Sequence, residues 1–273
     1  MTEGRLSQKS LQRSLIKSCK MFETKVKNTW CIGCGNFAIL NAAKEVFAEL
    51  IKEGIKKENI VIASGIGCHG KIVDYLDLNS FYALHGRGIP ALTGIKLANS
   101  KLIPIGFFGD GDAYAEGMEH LIHAAKRNSD ITVLIHNNGV FALTTGQVTP
   151  TTKKGFVDHS TPFGNPEEPI NPLALMLEAG ATFIARAYAG NPVHLKKTIK
   201  EAIKHKGFAI VDILQPCVTY NNTFAEYSAK TYEMKAIPEN AVEKCKETAK
   251  IPIGIFRKIN KPVYEDVVNS IIK

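Results

Sequence analysis

The stretch LIPIGFFGDGDAYAEG, residues 102–117, decides the fold. Its first seven residues, Leu102 to Phe108, make a near-continuous apolar run the length of one buried strand, and two aspartates set among glycines follow directly. A strand that is apolar on both faces belongs to a parallel sheet covered by helices on each side. The same unit recurs in both directions. Upstream lie a helical stretch from Asn36 to Glu53, a strand from Asn59 to Ser64 and a helical stretch from Ile89 to Asn99. Downstream come a helical stretch from Glu116 to Asn128, a strand from Ile131 to Asn137, a long irregular segment from Gly139 to Asn171 and the helical PLALMLEAGA. A strand from Phe183 to Tyr188, a helix from Pro192 to His205 and a strand from Phe208 to Leu214 complete the series. This alternation predicts an α/β fold with a doubly wound, mostly parallel sheet. Ligands in such sheets sit beyond the carboxyl ends of the strands, and the glycine-rich turns SGIGC, GDGD and HNNG fall there. Residues 30–220 are expected to form this domain, with 1–29 and 221–273 as arms too poor in apolar residues to fold alone.

The 273 residues are 45% apolar, enough for an ordinary enzyme-sized core. There is no apolar run of about 18 residues, and the N-terminus is polar and basic without the apolar centre of a signal peptide. A cytoplasmic protein without a membrane segment is expected. The formal charge of +8 comes from 34 Lys and Arg against 26 Asp and Glu, with the lysines spread over helical faces. Dispersed positive charge serves solubility and favours anionic partners. Nucleic acid ranks last among these, because no basic stretch is interleaved with aromatics.

Hard cations such as Mg²⁺ take oxygen ligands from one or two protein groups plus phosphate, which suits Asp110 at a strand end. Asn138 follows 28 residues later (138 − 110), one helix-plus-strand crossover away, and a right-handed crossover would bring the two strand ends together. Gly109 and Gly111 allow backbone amides to approach an anion, and the next helix can point its N-terminus at a diphosphate. The six cysteines are Cys19, Cys31, Cys34, Cys68, Cys217 and Cys245. Without a secretion signal, the pair in WCIGCG suggests metal or redox chemistry rather than a disulfide. With Cys68 and Cys217, both just after strands, it could hold a [4Fe-4S] cluster or a structural zinc, and spacing alone does not decide. Cys19 and Cys245 lack glycine-rich surroundings and read as ordinary thiols. Glu116, His120 and His123 share a helical face, but no HExxH-like motif accompanies them, so packing or solvent-facing roles are expected. His136 reads as a satisfied strand-end histidine.

The pairing of GDG with NN about 25 residues on resembles the thiamine diphosphate fingerprint and implies a magnesium site of Asp110, Asn138 and the Val140 carbonyl, with Asp112 orienting a nearby loop. A wider set of motifs, WCIGCGN, SGIGCHGKI, LHGRGIPALTGIKLAN, GDGDAYAEGMEHLIHAAKRN, HNNGVFALTTGQVTPTT and ILQPCVTYN, resembles the beta subunits of the 2-oxoacid:ferredoxin oxidoreductases from Trp30 to Asn222. Two positions depart from the family pattern: Ile32 stands where proline is usual, and Thr145 where Lys or Gly is common. The resemblance implies a thiamine-diphosphate-binding fold and cluster ligands Cys31, Cys34, Cys68 and Cys217. It implies coenzyme contacts from Ile66, Gly67, Cys68, His69, His85, Gly109, Asp110, Gly111, Asp112, Asn138, Leu143 and Thr144, with Leu143 under the thiazolium and Lys71 toward the substrate. The implied reaction is coenzyme A-dependent oxidative decarboxylation of a 2-oxoacid, 2-oxoglutarate foremost, with electrons passing to ferredoxin and an alpha subunit completing the site. Alternatives are a pyruvate or broad-range enzyme, a non-redox thiamine decarboxylase subunit with structural zinc, and a magnesium-nucleotide binding module.

Overall fold

The computed structural model describes residues 20–272; Cys19 lies outside the described residues. Among the described residues, eight strands form one sheet in the order β2-β1-β3-β4-β6-β5-β8-β7. They are β1 (Ile60–Ser64), β2 (Asn79–Tyr82), β3 (Ile103–Gly109), β4 (Thr132–Asn137), β5 (Phe183–Tyr188), β6 (Ala209–Leu214), β7 (Thr231–Glu233) and β8 (Ile251–Lys258). All pairings are parallel except that of β5 with β8. The predicted α/β class and mostly parallel sheet are what the chain adopts.

Strands β1, β4, β5 and β6 are buried along their whole length. Alternate residues feed two cores, so Phe107 packs on one face of the sheet and Phe108 on the other. The first core is closed by α1 (Asn36–Lys52), through Ile39, Ala43, Val46, Phe47 and Leu50, and by α5 (Pro192–Lys204), through Leu195 and Ile199. The second is closed by α2 (Gly88–Ala98), α3 (Met118–Arg127) and α4 (Pro172–Glu178). Both α4 and α5 start with proline behind an asparagine cap, Asn171 accepting from the Ala174 N–H and Asn191 from the His194 N–H. The asparagine satisfies an orphan amide and the proline forfeits one that has no partner anyway.

Residues 221–272 do more than wrap the core. After α6 (Phe224–Lys230) they add β7 and β8 to the sheet, with α7 (Ala241–Lys244) between them and α8 (Tyr264–Ile272) at the end. Ile253, Phe256 and Val263 are buried by this addition. Asn128, the left-handed residue after α3, ties the segment to the domain by donating to the Lys261 and Pro262 carbonyls. The helix expected from Glu116 begins two residues later, because Asp112–Glu116 form a π-helical turn. Glu116 and His123 are exposed, and His120 is half-buried against Arg87. No helix among the described residues is long and apolar enough to cross a membrane.

Candidate active site

Strands β1, β3, β4 and β6 lie side by side and end at one edge, so four loops converge there. Gly109 of β3 pairs with His136 of β4, which brings Asp110 and Asn138 out together. The Asn138 N–H donates to Asp110 Oδ1 at 3.3 Å. Asp110 is only 1% exposed, and its Oδ2 accepts from Thr149 Oγ1 at 2.5 Å and Thr151 Oγ1 at 2.7 Å. Burial pushes the Asp110 carboxyl above the usual carboxylate range, against the pull of these donors.

Asp112 has the opposite fate. Its Oδ1 accepts from the Gly86 N–H at 2.7 Å and approaches His85 Nδ1 at 2.9 Å, while Oδ2 lies 3.4 Å from His69 Nε2. The histidine contacts are ion-pair approaches rather than aligned hydrogen bonds. Burial disfavours the charge, but His69 and His85 outweigh it and hold the carboxyl at about 2. His85 moves up in return, chiefly through Asp112. Gly86 adopts φ 71°, and a Cβ there would meet the Glu116 carbonyl at 2.4 Å. Only glycine therefore lets this loop rest on the turn that carries Asp112.

Between these groups lies a cavity of about 130 Å³. Its lining includes Ile66, Gly67, Cys68, His69, His85, Gly109, Asp110, Gly111, Asp112, Asn138, Val140, Leu143 and Thr144, together with Phe141 and Ala142. Every coenzyme and magnesium residue implied by the resemblance thus borders one space, and among the described residues no Lys or Arg lines it. Its floor is made by absent side chains. A Cβ on Gly111 would stand 2.2 Å from the Phe141 ring, and one on Gly109 would stand 2.7 Å from His69 Nδ1. Leu143 is 48% exposed at the rim, and Thr144 Oγ1 donates to Gln147 Oε1 at 2.6 Å.

A second cavity, of about 220 Å³, adjoins the first and shares Cys68, Asn138, Ala142 and Leu143 with it. Cys31, Cys34, Cys68 and Cys217 all border it, as does Lys71, whose Nζ donates to Thr29 Oγ1 at 3.1 Å. The thiols surround a chamber rather than a point: among the described residues no group of three or more His, Cys, Asp or Glu is gathered closely enough for one ion. Burial raises the Cys34 thiol to about 11 and raises Cys68 as well, Lys71 opposing the latter. Thr219 Oγ1 donates to Cys31 Sγ at 3.2 Å and Gln215 Nε2 approaches Cys34 Sγ at 3.7 Å. The Trp30 indole donates to the Cys68 carbonyl at 2.6 Å. Ile32 is 98% exposed, so the residue in place of proline points away from the chamber's packing. Cys245 is buried elsewhere, its thiol donating to the Val242 carbonyl. His136 is fully buried with Nδ1 on Asn36 Oδ1 at 2.8 Å, but its Nε2 has no partner, so it is only half satisfied.

Sequence reasoning missed Thr149, Thr151 and Asn137. Hydroxyls are common in loops and give Thr149 and Thr151 no mark of their own, whereas Asn137 ends β4 inside the HNNG turn, which was its one usable signal.

This fold and this edge define a thiamine-pyrophosphate type of α/β domain, and residues 65–213 match the family described as thiamine pyrophosphate enzyme, C-terminal TPP binding domain. Residues 217–273 match the C-terminal part of the pyruvate ferredoxin oxidoreductase beta subunit. A 2-oxoacid:ferredoxin oxidoreductase subunit beta from Sulfolobus sp is 42% identical, the alignment covering 89% of this chain and 86% of that one. A 2-oxoglutarate synthase subunit KorB from Methanocaldococcus jannaschii is 35% identical over 93% and 96%. The solved 2-oxoglutarate:ferredoxin oxidoreductase from Magnetococcus marinus, with 2-oxoglutarate, coenzyme A and succinyl-CoA bound, superposes with a TM-score of 0.88 at 35% identity, covering 93% of this chain and 89% of that one. The chain belongs to the beta subunits of the 2-oxoacid:ferredoxin oxidoreductases. It is therefore one subunit of a heteromeric oxidoreductase, with an alpha subunit as its partner.

Proposed function

We propose that this subunit carries the diphosphate half of a thiamine diphosphate site and a [4Fe-4S] cluster, and serves coenzyme A-dependent oxidative decarboxylation of 2-oxoglutarate with ferredoxin as acceptor. The observation that carries this reading is the pair of adjoining cavities, one bordered by Asp110, Asn138 and Val140, the other by four cysteines, with Cys68 and Leu143 in both. The donor sets fit the groups. A diphosphate entering a cavity that holds Asp110 and Asp112 and, among the described residues, no Lys or Arg needs a cation of its own, and oxygen donors from Asp110, Asn138 and the Val140 carbonyl suit Mg²⁺. Four thiols around a chamber suit a cluster larger than one ion, which favours iron-sulfur over zinc.

When bound, thiamine diphosphate would supply carbanion-stabilising chemistry for decarboxylation of a 2-oxoacid. The cluster supplies one-electron transfer out of the site. The chain's own residues do the rest. Gly109 and Gly111 keep side chains off the cavity floor, where a diphosphate would rest, and Leu143 would offer the coenzyme an apolar rim. Asp112 holds His85 and the Gly86 loop against the cavity wall, and Lys71 adds a cation beside the chamber for a carboxylate substrate. Thr219 and Gln215 donate toward two of the sulfurs, contacts that raise a cluster's potential.

Relatives named for 2-oxoglutarate favour that substrate over pyruvate. The test is anaerobic purification with the alpha subunit. Visible absorbance bleached by dithionite is expected, lost in Cys31→Ser, with ferredoxin reduction fastest on 2-oxoglutarate in a panel including pyruvate and branched 2-oxoacids. A zinc-containing, iron-free preparation would overturn the redox assignment, and a preference for pyruvate would overturn the substrate.

A further inference from the structure

Behind Asp110 runs a polar chain, buried except at the half-buried Thr151, that the proposed chemistry does not use. Thr151 Oγ1 stands 2.7 Å from Asp110 Oδ2 and 3.0 Å from Asn137 Oδ1. Asn137 Nδ2 in turn donates to Asp212 Oδ1 at 2.9 Å. Asp212 is fully buried on β6, directly across from Arg186 of β5, whose Nε donates to Asp212 Oδ2 at 3.1 Å. Tyr114 OH, from the π-helical turn, donates to Asp212 Oδ1 at 3.3 Å.

The orientation of each group follows from the one behind it. A carboxylate paired with a guanidinium only accepts, so Asp212 obliges the Asn137 amide to present nitrogen to it. That leaves Asn137 Oδ1 facing Thr151. The Thr151 hydroxyl has a single proton and two acceptors within reach, Asp110 Oδ2 at 2.7 Å and Asn137 Oδ1 at 3.0 Å, so the proton is shared between them and Asn137 helps to set where that hydroxyl sits against Asp110. Thr149 donates to the same Asp110 oxygen at 2.5 Å, and together the two hydroxyls fix the plane of the carboxylate.

Resting on the magnesium reading above, we propose that Thr151 is a positioning residue for Asp110, and that Asn137, oriented by the Asp212–Arg186 pair, acts through it. Hydroxyls and amides that orient a metal-binding carboxylate typically change metal affinity about 10–100-fold when removed. The device also explains a buried ion pair within strongly apolar strands, a feature that by itself is weak evidence of stabilisation.

The experiment uses the complex with the alpha subunit and measures Mg²⁺-dependent thiamine diphosphate binding by calorimetry, with thermal unfolding recorded alongside. Thr151→Val is expected to weaken binding about 10–100-fold, and Thr151→Ser, which keeps the hydroxyl, to bind within roughly threefold of the parent. Asn137→Leu should lose binding like Thr151→Val, and the double variant should be no weaker than the worse single one. A merely structural role would lower thermal stability without rescue by serine, and additive losses in the double variant would overturn the relay through Thr151. Parent-like binding by Thr151→Val, with Asp110→Asn defective, would overturn the positioning role and leave the magnesium site standing. Parent-like binding by Asp110→Asn would sink the magnesium reading and this proposal with it.

Discussion

At the scale of single residues, two aspartates two positions apart are driven in opposite directions by their neighbours. Asp110 faces neutral hydroxyls in a buried setting and is pushed toward its protonated form, so a bound cation would have much to offer it. Asp112 meets two imidazoles and stays charged. The space beside them depends on glycine. In Gly111→Ala the new methyl would overlap the Phe141 ring, and one of the two must move into the cavity floor. We expect Mg²⁺-dependent coenzyme affinity to fall at least about tenfold, and stability by about 1–3 kcal/mol as for other overpacked sites, read by calorimetry and thermal unfolding. Unchanged coenzyme affinity would mean the diphosphate does not rest there. Asp110, Asn138, Cys68 and Cys217 are legible in the sequence as candidates because they follow strands, and Cys31 and Cys34 because they form a Cys-x-x-Cys pair. Thr149 and Thr151 are not, because the loop that returns them to Asp110 has no periodicity and its path is set only by tertiary contacts.

At the scale of elements, α1 and α5 are joined on the protein surface by a ladder that follows the helical repeat of four. Lys196 bridges Glu45 and Glu49, Lys200 bridges Glu49 and Glu53, and Lys204 meets Glu53, at 2.6–3.2 Å. Partial burial alone would raise the Glu49 carboxyl, but Lys200 and Lys196 pull it below its ordinary 4.5. A group whose folded pKa is depressed contributes stability above its unfolded pKa and loses it as pH falls through the folded value. Lys196 and Lys200 are raised above 10.5, so their contribution is present below that pH and lost above it. Glu49→Gln should therefore cost about 1 kcal/mol at neutral pH, shrinking below pH 4.5 and in high salt, as urea unfolding of both proteins would reveal. A deficit that persists at low pH would assign the loss to packing. The helices of this pair are legible from sequence because their apolar spacing is strong. Strands β2 and β8 are not: NSFY is a short edge strand that is mostly exposed, and Pro252 and Gly254 make IPIGIFRK read as a loop until β5 is there to pair with it.

At the scale of the whole molecule, the cavity proposed for the coenzyme holds two carboxylates among the described residues, and both are committed. Asp110 is engaged by Thr149, Thr151 and the Asn138 amide, and Asp112 by His69, His85 and the Gly86 amide. Among the described residues, no carboxylate in its lining is left to exchange a proton with a bound coenzyme. The rim, meanwhile, is apolar and open, with Ile66 42% and Leu143 48% exposed. An enzyme that works by proton exchange in a water-poor site needs a second surface over that rim, carrying the missing acid-base group. The alpha subunit is the partner that fits. The chamber of four thiols, by contrast, draws all its cysteines from this chain. The two functions should therefore separate on dissection. The isolated chain, reconstituted anaerobically with iron and sulfide, should show dithionite-bleachable absorbance yet no viologen reduction on any 2-oxoacid, and adding the alpha subunit should restore turnover. Turnover by the isolated chain would mean that a group within it activates the coenzyme, and absence of the cluster would mean that the alpha subunit helps to close the chamber.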